Sequence, residues 1–112
     1  MRILIIDGQG GRMGSRLAAL LRPRLPEGCA LLCAGTNALA TSAMLKAGAA
    51  RGATGEHAIV YNAQRAHLIL GPMGILLANG ILGEVSPAMA AAVSGAECKK
   101  VLIPSSTCGV LV

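Results

Sequence analysis

Aromatic residues are almost missing from this sequence of 112 residues, which has no phenylalanine and no tryptophan and one aromatic residue, Tyr61. Proteins that hold single-stranded nucleic acid usually stack the bases on aromatic side chains, so the composition argues against that class. Hydrophobic residues nevertheless make up 54% of the chain. A core must therefore be built from aliphatic side chains and alanine, packed around many glycines.

Charge is also scarce, since charged residues make up 13% of the chain, where about 25% is typical of globular domains. The net charge of +5 suggests an anionic partner, but five of the ten basic residues lie in the first 24 positions and only Lys99 and Lys100 are adjacent. This sparse pattern favours a small phosphate-bearing ligand, and we expect no nucleic-acid partner.

The sequence has no Cys-x-x-Cys motif and no cysteine–histidine spacing typical of a metal site, so we expect no metal. Its four cysteines stand in or beside apolar runs, which predicts free thiols and a reducing, cytoplasmic location. The longest uncharged apolar stretch, residues 68–83, is interrupted by glycine and proline. It is shorter than the ~20 residues of a membrane-spanning helix, so we expect no membrane partner.

Short aliphatic runs alternate with helical patterns along the whole chain. The runs predict strands at residues 3–6, 30–34, 68–70 and 101–103, with a fifth at 109–112. The intervening patterns predict helices at residues 11–22, 37–47, 56–63 and 87–95, and an apolar helix or turn segment at 75–82. This alternation predicts one α/β domain over residues 1–112, a three-layer Rossmann-like fold with a mostly parallel sheet of four to five strands.

The most informative segment is a glycine loop, residues 8–14, between the first strand and the first helix. Gly8, Gly11 and Gly14 form a Gly-x-x-Gly-x-x-Gly pattern that contains Arg12. A helix amino terminus offers free N–H groups to a phosphate, and glycine allows a close approach of the backbone. The loop therefore predicts a phosphate site, although a glycine turn that only packs a strand against a helix remains an alternative.

This segment resembles the cofactor loop of dihydrodipicolinate reductases, which use NADPH or NADH and carry Gly-x-Gly-Gly-Arg-Met-Gly at this place. The resemblance covers about 20 residues, and it implies that Gly8, Gly11, Arg12, Met13 and Gly14 line a pyrophosphate. Dinucleotide-binding proteins usually carry a charged residue after the second strand to bind the ribose. Here residues 33–36 are Cys-Ala-Gly-Thr, which contain no charge.

Over nearly its whole length the chain also resembles a family of short bacterial proteins classed as a domain of unknown function (number 3842). The matching stretches are residues 6–11, 35–41, 52–56 and 71–72. The resemblance implies the α/β fold and a bacterial, cytoplasmic origin, and it implies no particular activity.

Residues that follow parallel strands meet at one edge of the sheet, where such folds bind ligands. The candidate nucleotide-binding residues there are Gly8, Gln9, Gly10, Gly11, Arg12, Met13, Gly14, Gly35, Thr36, Asn37, Gly71 and Pro72. Asp7, the one aspartate of the chain, together with Asn37 and Glu56, are the candidate catalytic residues. For Asp7, the alternative is that it braces the turn by accepting hydrogen bonds from backbone N–H groups.

These observations leave three functions open. The first is a module that binds a nucleotide or dinucleotide phosphate, such as an NADP-like one, as a sensor or accessory subunit. The second is an enzyme for a phosphorylated or nucleotide substrate, with its site completed across a dimer interface. The third is a structural or interaction protein without a ligand.

The low charge also predicts a homodimer or larger homo-oligomer, because a chain this short buries its surface incompletely. Residues 75–82 are the expected contact, since their leucines and isoleucines exceed what one helix face buries. The alternative is that this segment is the central helix of the core.

Overall fold

The computed structural model describes residues 1–104. Their centre is a five-stranded sheet, and every neighbouring pair of strands is parallel. The strands are β1 (Arg2–Asp7), β2 (Ala30–Gly35), β3 (Arg51–Thr54), β4 (Leu68–Pro72) and β5 (Lys99–Ile103). They are arranged in the order β3-β2-β1-β4-β5. The chain therefore winds outward in one direction from β1 and then in the other, as in Rossmann-like folds.

Four helices cover the two faces of this sheet: α1 (Arg12–Leu21), α2 (Ala38–Ala47), α3 (Glu56–Arg65) and α4 (Pro87–Gly95). Successive side chains of β1 point to opposite faces, as in any strand. Leu4 and Ile6 pack with α3 and α4, and Ile3 and Ile5 pack with α1 and α2. The result is the predicted three-layer α/β fold. Among residues 1–104 no helix is long and apolar enough to cross a membrane.

Local signals define the helix ends. The Asn37 side chain accepts a hydrogen bond from the amide of Ala40 at 2.9 Å and so caps α2, which ends at Gly48 with φ 137°. Ser86 caps α4 through the amide of Met89 at 3.2 Å. Such caps satisfy backbone N–H groups that have no partner inside the helix.

The structure differs from the predicted elements at one edge strand, and it decides one alternative that the sequence left open. Residues 52–55, where no strand was predicted, lie mostly in β3, an edge strand that carries no aliphatic run and so lacks the usual signal. Residues 75–82, predicted to be a helix or a turn segment, form turns: the 3₁₀ turn at Met73–Leu76 passes into a chain of turns, so this segment is not the central helix of the core. Only Ile75 of the hydrophobic residues in this stretch is fully buried. The strand predicted at residues 109–112 lies outside the described residues.

Candidate functional site

The glycine loop follows β1 at the point where the winding of the sheet changes direction, the usual ligand position in such sheets. Gly11 precedes α1 with φ 69°, a left-handed conformation that favours glycine. A Cβ atom at Gly11 would lie 2.8 Å from the carbonyl oxygen of Ala40, and one at Gly14 would contact Met44. These two glycines therefore let α1 pack closely against α2, as the structural alternative predicted.

Gly10 differs from its neighbours in the loop. It is exposed, and a Cβ atom there would meet nothing nearer than the Arg12 side chain at 3.9 Å. Packing therefore gives no reason for glycine at this position. The surface above the Gly10 backbone is open to a ligand.

Asp7 lies at the end of β1 and is only 5% exposed. Its two carboxylate oxygens accept hydrogen bonds from the amides of Gly8 at 2.8 Å and Gly14 at 2.7 Å. Burial raises the pKa of Asp7, the two backbone hydrogen bonds lower it, and the negative charge of Glu84 raises it further, with a net upward shift. Asp7 thus braces the loop from below, with both oxygens already engaged.

Glu84 is the residue of this site that the sequence did not indicate. Its Oε1 atom accepts hydrogen bonds from the Gln9 amide at 2.6 Å and from the Thr36 hydroxyl at 2.7 Å. The Asn37 amide group lies 3.4 Å from both of its carboxylate oxygens. Glu84 therefore joins the glycine loop to the end of β2. It also places a carboxylate where residues 33–36 supply none.

No sequence motif marks Glu84, because it is 48 residues from Thr36 and stands in the irregular segment between Met73–Leu76 and α4. Asn79, Ile81 and Leu82 in that segment all have positive φ angles, which are unusual outside glycine. The one signal available was the scarcity of acid: the chain has five acidic residues. An acidic residue in a turn-rich segment of such a chain is therefore a candidate ligand contact.

The start of α1 offers unused hydrogen-bond donors. Within residues 1–104, the amides of Gly10, Arg12 and Met13 have no hydrogen-bond acceptor, whereas the Gln9 amide is bound to Glu84. Arg12 is exposed, and no acidic residue stands in the first turn of the helix. Aligned N–H groups and the Arg12 guanidinium supply positive charge at this end of α1, and the Glu84 carboxylate on the neighbouring Gln9 amide opposes it in part.

A surface depression of about 400 Å³ extends beside these amides. It is lined by Arg12, Met13, Arg16 and Leu17 of α1 and by Ile103 at the end of β5. Two positive charges and several apolar groups therefore border the space next to the loop. This combination suits a ligand that has both an anionic and an uncharged part.

The other candidate residues lie in different environments. Asn37 reaches the loop by donating a hydrogen bond to the carbonyl oxygen of Gln9 at 3.0 Å. Gly35, Gly71 and Pro72 are buried, so their place is beneath the surface of the site. Glu56 is exposed in the first turn of α3 and shares no hydrogen bond with Asp7 or Asn37 in the described part of the chain.

The cysteines and His67 lie away from this site. Cys29, Cys33 and Cys98 are free thiols, and Cys108 lies outside the described residues. Burial raises the pKa of the Cys33 thiol to about 11, so it stays protonated. His67 is exposed, and its Nδ1 atom accepts a hydrogen bond from the Arg2 amide at 2.8 Å.

The parallel sheet, the strand–glycine–helix connection and the covered faces define a small Rossmann-like α/β protein. A family model described as Domain of unknown function (DUF3842) matches residues 2–112. The chain belongs to this family. A search of curated proteins found no match.

Proposed function

We propose that the protein is a binding module for a nucleotide or dinucleotide, whose phosphate is held by the glycine loop. The observation that carries the proposal is the set of unused amides of Gly10, Arg12 and Met13 at the start of α1, beside the Arg12 guanidinium. Backbone N–H groups at a helix start, combined with arginine, suit a phosphate group. The position at the switch point of the sheet supports the same assignment.

Glu84 bears on the choice of nucleotide. In Rossmann-like proteins a carboxylate at the end of the second strand accepts hydrogen bonds from the ribose hydroxyls, whereas a 2′-phosphate requires a positive charge there. Here Glu84 reaches that place through Thr36 and Asn37. The proposed ligand is therefore a nucleotide with free ribose hydroxyls, such as NAD or ATP. NADP, which the loop resemblance also allowed, would meet like charge.

The side chains favour binding over chemistry. Both oxygens of Asp7 are occupied by backbone amides, which leaves this residue a bracing role. Glu56 and His57 are exposed on α3. The proposal therefore assigns the protein a sensor or accessory role. The free amides of the loop and Arg12 are its phosphate contacts, and the Oε2 atom of Glu84 is its ribose contact, since Oε1 is occupied by Gln9 and Thr36.

Calorimetric titration with NAD, NADP and ATP tests this proposal. Wild type should bind NAD or ATP more tightly than NADP, and Glu84→Gln should narrow that difference. Gly10→Asp should weaken binding at least tenfold, because it sets a carboxylate beside the free amides without a steric conflict. Gly95→Asp, at another glycine with open space, is the matched control and should bind as wild type does.

Either of two results would contradict the proposal. If none of the three nucleotides binds, or if Gly10→Asp binds as tightly as wild type, the loop is only a packing turn. Gly11→Asp is unsuitable as a test, since a side chain there would strike the backbone of Ala40 and unfold the site.

A further inference from the structure

A second pocket lies at the opposite edge of the sheet, where the strands begin. It has a volume of about 310 Å³, within the usual range for small-molecule sites. Three arginines from distant parts of the chain line it: Arg2 at the start of β1, Arg51 at the start of β3 and Arg65 at the end of α3. No acidic residue is among the described residues that line it.

Sheet register and helix direction bring the three arginines together. Leu32 of β2 pairs with Leu4 on one side and with Arg51 on the other, so all three lie in one row across the sheet. Arg2 is two residues before Leu4 and shares its face. The Gly55 amide just before α3 bonds to the Gly35 carbonyl at the ends of the strands, so α3 runs back to their starts with Arg65 in its last turn.

Two of the three guanidinium groups are held in place by contacts within the pocket wall. The Arg2 Nε atom donates to the Arg65 carbonyl at 2.8 Å, and the Arg65 Nη1 atom donates to the Tyr61 carbonyl at 3.1 Å. The Arg65 Cζ atom also lies 3.6 Å from the centre of the Tyr61 ring. A cation that rests on an aromatic face in this way loses little further freedom when an anion binds.

The remaining donors have no acceptor. Within residues 1–104, the Arg51 guanidinium makes no hydrogen bond, and the Arg2 and Arg65 groups each make only the one described above. Three like charges around one pocket repel one another unless an anion joins them. Their forked donors match the oxygen atoms of a phosphate, and three of them exceed what a single carboxylate satisfies.

We propose that this pocket binds a small molecule through a phosphate group held by Arg2, Arg51 and Arg65. Leu4 and Leu32 supply apolar surface for the rest of the ligand. The site is separate from the glycine loop, because a strand of six residues keeps the two edges of the sheet about 20 Å apart. It does not depend on nucleotide binding at that loop.

The test is calorimetric titration with pyrophosphate at constant ionic strength, carried out in the Gly10→Asp background so that the glycine loop does not contribute. We expect one site, weakened at least tenfold by adding Arg51→Gln, a substitution that breaks no hydrogen bond in the described structure. Lys46→Gln, which removes an exposed charge from α2, is the control and should change affinity less than twofold. Citrate, a tricarboxylate of comparable charge, should bind more weakly than pyrophosphate.

Equal binding with and without Arg51→Gln would overturn the proposal, as would the absence of any pyrophosphate binding. An equal loss from Lys46→Gln would overturn it too, since it would show diffuse attraction to a basic protein. Tighter binding of citrate than of pyrophosphate would contradict a phosphate ligand and would indicate a carboxylate ligand instead. None of these outcomes changes the result expected from the nucleotide titration of the glycine loop, so each proposal can fail without the other.

Discussion

At the scale of the residue, the Asp7 carboxylate is subject to two opposing effects. Its burial favours the protonated form, and its hydrogen bonds from Gly8 and Gly14 favour the charged form. Burial is the larger effect, so the pKa of Asp7 in the folded protein is raised above the ordinary value of 3.8. The folded chain therefore holds this proton more tightly than the unfolded chain does.

This raised pKa predicts a loss of stability on ionisation of Asp7. The contribution of the protonated group is fully present below about pH 3.8 and is lost as the pH rises through the folded-state pKa. Urea unfolding of wild type and Asp7→Asn, which does not titrate, measures it. The advantage of wild type over the variant should shrink as the pH is raised from 4 to 7, and an advantage that grows instead would contradict the upward shift.

The glycines of the loop give a second prediction at this scale. Gly11→Ala should lower the free energy of unfolding by about 2 kcal/mol or more, because a left-handed residue other than glycine costs ~1–2 kcal/mol before its contact with Ala40 is counted. Gly10→Ala should stay within about 0.5 kcal/mol of wild type. Denaturant midpoints of the two variants measure the difference. Equal midpoints would mean that α1 and α2 pack less closely than described.

At the scale of the element, the segment between Met73–Leu76 and α4 is irregular yet well anchored. Val85 is buried. The Asn79 amide donates to the Val85 carbonyl at 2.7 Å, and the Val85 amide donates to the Gly80 carbonyl at 3.1 Å. Glu84 adds the link to the glycine loop and to the end of β2. The segment therefore covers one side of the candidate nucleotide site.

Removal of that link should loosen the segment. Glu84→Ala leaves the Gln9 amide and the Thr36 hydroxyl without their acceptor, and hydrogen bonds to charged groups contribute about 1.5–3 kcal/mol. Hydrogen exchange of residues 77–86 should become at least tenfold faster, while exchange in β1 and β2 changes little. Glu97→Ala, at an exposed acidic residue, is the control and should leave exchange as it is. Unchanged exchange in Glu84→Ala would show that the core contacts alone hold the segment.

At the scale of the whole molecule, several leucines remain on the surface. Leu82 is 87% exposed and Leu39 is 69% exposed, so the described chain leaves most of both side chains uncovered. Single exposed leucines are common on protein surfaces, and a contiguous apolar patch is what is typical of an interface. The homodimer expected from the composition stays a prediction, and Leu82, the most exposed leucine of the expected contact at residues 75–82, is the residue to test.

Light scattering tests this dimer. Wild type should have the mass of a homodimer, and Leu82→Glu should have the mass of a monomer with an unchanged circular dichroism spectrum. Leu20→Glu, at a leucine that is 59% exposed on α1, is the control and should remain dimeric. A monomeric wild type, or a dimeric Leu82→Glu, would remove this surface from consideration.

The sequence by itself determined the layered architecture. The aliphatic runs of β1, β2 and β4 lie mostly buried between the two helix layers, and the run of β5 is partly exposed at the edge of the sheet. The caps at Asn37 and Ser86 act within four residues. Such signals are local, so they can be read along the chain. The glycine loop was found for the same reason, because its residues are consecutive.

Only the tertiary structure decided the remaining parts of the two sites. The strand β3 is held by backbone pairing with β2 and carries no pattern of its own. Glu84 meets Thr36 across 48 residues, and the pocket at the opposite edge joins arginines from β1, β3 and α3. Contacts of this kind depend on how the elements pack against one another. Hydrophobic periodicity predicts which face of an element is buried, but it does not predict which polar residues from distant elements will come into contact.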